Sequence, residues 1–140
     1  MADFDIDYRE LEIFTRELES LQRHFPKEAK QLMLRSGSKA RAIIVKRART
    51  TVRKVTGNYL KSIKRGKVWV DEGNGWYKVR VYTRAPHGHL IEYGHRIVGK
   101  DGQEYGFKEG YHVFEKATKD VEKEWSSIVE EGFDKIMSKL

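Results

Sequence analysis

The 140-residue sequence contains no cysteine and only two prolines. Without cysteine there is no disulfide framework and no thiolate metal site, which fits a reducing compartment. No apolar run approaches the roughly 20 residues that a bilayer crossing requires. The opening Met1-Ala-Asp-Phe-Asp-Ile-Asp7 is acidic and lacks the basic start of a secretion signal. These absences predict a soluble protein made in the cytoplasm. A chain of this length buries about 70% of its unfolded surface, so one domain spanning 1–140 needs no staple.

Charge is plentiful and unevenly placed. The formal net charge is +7. Residues 1–25 hold three basic and seven acidic side chains, whereas residues 26–55 hold ten basic and one acidic. Residues 109–140 are acidic again, with five basic side chains against eight. A basic middle between acidic ends suits a nucleic-acid-facing surface, a charge-complementary interface or a merely solvated helix face.

Periodicity supplies three long helices. Leu11, Phe14, Leu18, Leu21 and Phe25 form one stripe over about 7–24, with Asp7 and Glu10 as a capping-box-like pair. Pro26 ends that helix and suits the first turn of the next. Ala29, Leu32, Ser36, Ala40, Ile43, Ile44, Ala48 and Val52 share a face over 27–54, opposite Lys39, Arg41, Lys46, Arg47, Arg49, Arg53 and Lys54. Gly37 weakens this helix by about 1 kcal/mol relative to Ala and permits a bend. Thr56-Gly57-Asn58 terminates it, and Asn58 caps a short turn reaching Ile63.

Val68 and Val70 alternate with polar and aromatic neighbours, as do Val79 and Val81. With Glu72-Gly-Asn-Gly75 between them, 67–71 and 76–83 read as a hairpin. A short helix at 88–94 and a strand at 95–98 follow. Residues 99–110 hold four glycines and read as a long loop or flexible hairpin, including Lys100, Tyr105 and Phe107. Phe114, Ala117, Val121, Trp125, Ile128, Val129, Phe133 and Ile136 define a last helix over 112–139, with Gly132 as its weak point. The order predicts an α+β domain: a small curved antiparallel sheet against long helices.

His87, His89, Glu92 and His95 are the candidate metal ligands, suited in type to zinc. Spacing opposes that reading. His89, Glu92 and His95 run at i, i+3 and i+6, whereas a helical zinc pair needs i and i+4. The alternative is that Glu92 and His89 make structural hydrogen bonds at a corner. No cysteine or strained serine nucleophile accompanies them, and no phosphate-binding glycine loop is present. The sequence therefore predicts neither catalysis nor cofactor. A metal-dependent hydrolase and a basic DNA-binding accessory protein stand as alternatives to a structural role.

Three segments carry a resemblance. They are Thr56-Gly-Asn-Tyr-Leu-Lys-Ser-Ile63, His89-Leu-Ile-Glu-Tyr-Gly-His95, and Gly110-Tyr-His-Val-Phe114 leading to Ala117. Together they resemble the gene-ten-like tail-component family of lambda-type phages, with Thr56, Gly57, Leu60, Ser62, Ile63, His89, Glu92, Gly94, His95 and Ala117 at the motif positions. The resemblance implies a structural virion protein of a tailed phage or prophage, made in the bacterial cytoplasm. It implies a ring, six copies in the particle, at the neck. Its neighbours there would be the head-closure or connector protein and the tail-tube or tail-terminator protein, with non-specific contact to phage DNA open and no membrane involved. The basic helix and Lys100, Tyr105 and Phe107 are the candidate interface or DNA-facing residues.

Overall fold

The computed structural model describes residues 12–52, 57–86 and 88–140, with side chains from residue 16 onward. The expected cap at Asp7 and Glu10, and the residues Arg53, Lys54, Thr56 and His87, lie outside the described residues. Helix α1 covers Glu12–His24 and α2 covers Pro26–Thr51. Short α3, Gly57–Ser62, leads into β1, Ile63–Arg65. Strands β2 (Trp69–Val70), β3 (Tyr77–Lys78) and β4 (Val81–Thr83) follow, then α4 (Gly88–Tyr93), β5 (Gly94–Val98), β6 (Glu104–Glu109) and α5 (Val113–Met137). The architecture is α+β.

The core forms where α2 crosses α5. Buried Ala29, Leu32, Ser36, Ala40, Ile44 and Ala48 of α2 face buried Val113, Phe114, Ala117, Val121, Trp125 and Val129 of α5. The small residues on α2 let the helices approach closely. Arg47 then ties the pair at its edge: its guanidinium donates two hydrogen bonds to the Asp120 carboxylate, at 2.6 and 2.7 Å. That bidentate contact holds the Asp120 carboxyl below its ordinary range and raises Arg47. In α1, Leu21 is buried and Leu18 half-buried, but Phe25 at the end of the expected stripe is exposed.

The glycines inside the two long helices, Gly37 of α2 and Gly132 of α5, are sites of close approach. A Cβ on Gly132 would lie 2.6 Å from Leu32 Cδ1, and one on Gly37 would lie 3.0 Å from Val79 Cγ1. Helix α2 runs unbroken through Gly37. Gly132→Ala gains about 1 kcal/mol of helix propensity but overpacks the crossing by about 1–3 kcal/mol. The expected net result is a small loss of stability, and a larger one for Gly132→Val, in a urea titration.

The expected hairpin 67–83 pairs differently from the reading above. Only β2 and β3 pair across the turn, Trp69 opposite Lys78 and Val70 opposite Tyr77. Strand β4 instead pairs antiparallel with β1, Ile63 opposite Thr83 and Arg65 opposite Val81. Between the two ladders, residues 66–68 face residues 79–80, a one-residue mismatch bridged by the Gly66 N–H donating to the Arg80 carbonyl at 2.8 Å. The expected turn ending at Ile63 stops at Ser62, and Ile63 begins a strand. The strands thus form three two-stranded antiparallel ladders. The third, β5 with β6, accounts for much of 99–110: residues 104–109 are strand and 99–103 the turn. No helix among the described residues is long and apolar enough to cross a membrane.

Candidate functional site

The first N–H groups of a helix have no partner inside it and must find one elsewhere. At α5 the preceding residue, His112, adopts φ 51° in the left-handed region and makes no capping bond. Glu92, on α4 and only 3% exposed, takes that place. Its carboxylate accepts the Phe114 N–H at 2.8 Å and the Glu115 N–H at 3.1 Å. A negative charge at this end also complements the helix dipole. The contact is reciprocated by the backbone. The Tyr111 and His112 N–H groups donate to the carbonyls of Ile91 and Glu92 at 2.7 and 3.1 Å, satisfying the end of α4. Nearby Tyr59 has its pKa raised to about 12, mainly by burial and secondarily by the Glu92 charge.

Two glycines make this junction possible. Gly94 has φ +90°, and a Cβ there would lie 2.3 Å from the Lys108 carbonyl oxygen. A Cβ on Gly110 would lie 2.3 Å from the Glu92 carbonyl oxygen and 2.5 Å from Gly94 N. The chain therefore leaves and re-enters the body back to back, and everything between projects as an arm.

The arm is β5 and β6. Its pairs are Gly94 with Glu109, His95 with Lys108, Arg96 with Phe107, Ile97 with Gly106 and, after a bulge, Val98 with Glu104. Every residue of β6 is exposed, as are His95 to Val98 of β5. Its tip is closed by its own polar groups. Asp101 accepts the Gln103 N–H at 3.0 Å and the Tyr105 hydroxyl at 2.6 Å, which holds its carboxyl below the usual range. Tyr105 and Phe107 remain 62% and 57% exposed, and Tyr93, Ile97 and Val98 are exposed beside them. Solvent-exposed apolar and aromatic side chains concentrated on a projecting element mark an interaction surface.

His112 is a titratable residue at the base of the arm, just before α5. Its Nε2 lies 2.8 Å from Glu109 Oε1 and its Nδ1 lies 3.0 Å from Glu115 Oε2. The bond to Glu109, with the charges of Glu115, Glu109 and Glu92, raises its pKa above the ordinary 6.5. A raised folded-state pKa means the contribution is fully present below 6.5 and fades as pH climbs through the folded value. His112→Asn keeps a residue tolerant of positive φ and removes the charge. The expected outcome is a flatter stability profile above pH 6.5 than in the parent, read by thermal melts across that range.

The candidate residues from the sequence separate in space. His89 is exposed on α4 and His95 is exposed on β5, while Glu92 is committed to α5. Among the described residues no group of three or more such side chains is placed to hold a metal ion. Of the basic residues, Arg47 is engaged with Asp120, and Arg41 donates to the Ile63 carbonyl at 2.5 Å. Lys39 is half-buried, and Lys46, Arg49 and Lys100 are exposed. Gly57 and Leu60 lie on α3, beside Ser62, whose hydroxyl bonds the Tyr59 carbonyl at 2.5 Å and Thr83 Oγ1 at 2.7 Å. Ile63 and Ala117 are fully buried. Sequence reasoning missed His112, Gly110, Ile97 and Val98 as part of the site. The two glycines framing 94–110 were the available signal.

Residues 12–94 match the family model described as "Bacteriophage HK97-gp10, putative tail-component". The matched span runs from the start of α1 to Gly94, where the arm begins. No curated protein and no solved structure matches the chain.

Proposed function

The chain belongs to the HK97-gp10-like family of phage tail components, and from that premise we propose that it is a structural virion protein of the neck. In this reading six copies form a ring that joins the head connector or head-closure protein to the tail tube or tail terminator. It works by contact and not by catalysis.

The observation that supports this best is the arm: an exposed β5–β6 hairpin fixed to the core through a buried carboxylate cap. Ring contacts join unlike patches, and unlike patches are available. Exposed charges on α2 are all basic (Lys27, Lys30, Arg35, Lys46 and Arg49), while α5 exposes six acidic side chains interleaved with four lysines, a net −2.

Disrupting the gene in the parent phage tests the reading. The expected result is DNA-filled heads and separate finished tails that do not join, rescued by the intact chain in trans. Normal yields of infectious particles would overturn it.

The exposed basic face of α2 favours a second role for the same part, weak contact with passing DNA. Each neutralised phosphate contributes about −0.9 to the slope of log affinity against log salt. Among the described residues α2 exposes five cations, Lys27, Lys30, Arg35, Lys46 and Arg49, so the expected slope on random duplex DNA is about −4.5 or shallower. A slope several times steeper with tight binding at physiological salt would favour a dedicated DNA-binding protein instead.

A further inference from the structure

Strands that pack one side on a helix turn alternate residues to solvent on the other. Residues 77–84 alternate in this way without a break. Val79 meets Gly37 of α2, and Val81 and Thr83 are buried. Lys78, Arg80, Tyr82 and Arg84 therefore share the outer side. The one-residue mismatch falls on the facing segment, at 66–68. Pairing on either side of it sets Lys64 opposite Tyr82 and Trp69 opposite Lys78, so both join the outer side.

This side is basic. Residues 61–70 and 76–86 hold seven basic side chains and no acidic one. Lys64, Arg80 and Arg84 are exposed, as are Lys61 and Lys67, which flank β1. The turn between β2 and β3 carries Asp71, ion-paired with Lys78 at 2.8 Å, and Glu72. Among the described residues Lys64 and Arg84 have no carboxylate partner.

Aromatic rings hold the arginines in place. The Arg84 guanidinium lies 5.0 Å from the centre of the Tyr82 ring, and that of Arg80 lies 5.2 Å from the Trp69 ring. A Cβ on Gly66 would lie 3.3 Å from Tyr82 Cε1, so the ring rests against the glycine. A guanidinium stacked on a ring keeps its planar fork of N–H donors in one orientation, suited to bidentate contact with an anion and with less freedom to lose on binding.

The same stacking decides the kind of polyanion. Single-stranded nucleic acid binds by laying bases on open aromatic faces. Here a cation already covers a face of each ring. A duplex needs no such platform, because its phosphates are what a basic surface meets.

We propose that the outer side of the β1–β4 and β2–β3 ladders binds the phosphate backbone of duplex DNA without reading its sequence, through Lys64 and Arg84 with Arg80 alongside. This surface is separate from the exposed side of α2, since the strands pack on that helix with their inner side. The proposal does not rest on the tail reading.

Fluorescence anisotropy of a labelled random-sequence duplex with the full chain, from about 50 to 200 mM salt, tests it. Lys64→Gln combined with Arg84→Gln should weaken binding about tenfold and make the slope of log affinity against log salt shallower by about 1.8. Arg84→Lys should leave the slope within about 0.5 of the parent yet weaken binding about threefold, because the charge stays and the fork is lost. In the parent, the amide resonances of Lys64, Gly66, Tyr82 and Arg84 should shift on addition of the duplex. Far-UV circular dichroism identical to the parent confirms that each variant is folded. A parent that does not bind at about 50 mM salt, a double variant that binds like the parent, or resonance shifts confined to α2 would each overturn the proposal. Tighter binding of a single strand of the same length would overturn it too. So would displacement of the duplex by poly-glutamate as readily as by unlabelled duplex at equal charge, which would point to an acidic protein partner.

Discussion

Replacing Glu92 with alanine is expected to lower stability by about 2–4 kcal/mol, roughly 8–15 °C in melting temperature for a domain of this size. The cost is large because the carboxylate is buried and serves two donors at once. Removing it leaves the Phe114 and Glu115 N–H groups at the head of α5 without an acceptor, and an unmet buried donor costs more than a typical hydrogen bond contributes. Glu92→Gln is expected to lose less, about 1–2 kcal/mol, because the amide oxygen still accepts one bond while the charge is gone. Tyr59 gives an independent readout. Its pKa of about 12 owes more to burial than to Glu92. In Glu92→Gln it should fall yet stay above the ordinary 10.0, measured by ultraviolet titration. Unchanged melting in Glu92→Ala would contradict the cap.

Gly94→Ala is expected to release the arm while leaving the core folded. The new methyl meets the Lys108 carbonyl at 2.3 Å, Gly110 N at 2.7 Å and the Phe107 ring at 2.9 Å. Two of these are backbone atoms that cannot swing aside. Left-handed backbone strain adds about 1–3 kcal/mol and overpacking about 1–3 kcal/mol more. A lone two-stranded hairpin has no such reserve. Cross-strand nuclear Overhauser contacts between Arg96 and Phe107, paired in the parent, should disappear, while amides in the middle of α2 and α5 stay protected from exchange. Loss of both together would mean that the arm and core are one cooperative unit; retention of the cross-strand contacts would mean that the glycine is dispensable.

These two residues also show what the sequence could and could not disclose. The stripes of α2 and α5 were readable because both helices bury one face, and burial imposes a period of 3.6. Six of the eight positions assigned to the α2 stripe lie buried within the helix, and Val52 is buried just beyond it. Strand β6 left no such trace. Both its faces are exposed, so nothing enforces alternation, and Glu-Tyr-Gly-Phe-Lys-Glu resembles loop composition. The pairing of β4 with β1 was hidden by the one-residue mismatch at 66–68, which shifts register without a compositional mark.

Glu92 was visible as a residue but not as a cap. Its spacing from His89 and His95 argued against a helical metal pair, and that inference was available from local geometry alone. The helix it caps begins 21 residues later, a distance that no local pattern spans. Gly37 and Gly132 had the same ambiguity. Propensity marks them as weak points in a helix, and only the tertiary packing shows that Val79, between β3 and β4, and Leu32, on α2, need the space.

The central claim is that this tail component occupies the junction between head and tail and acts by presenting a fixed arm to its neighbours. Cryo-electron microscopy of the intact particle at side-chain resolution tests it most directly. The account predicts six copies encircling the neck, with Glu92 at the head of α5 and residues 94–110 lying in contact with an adjoining protein. Density for the chain elsewhere in the particle, or at the neck with the arm facing bulk solvent, would contradict it.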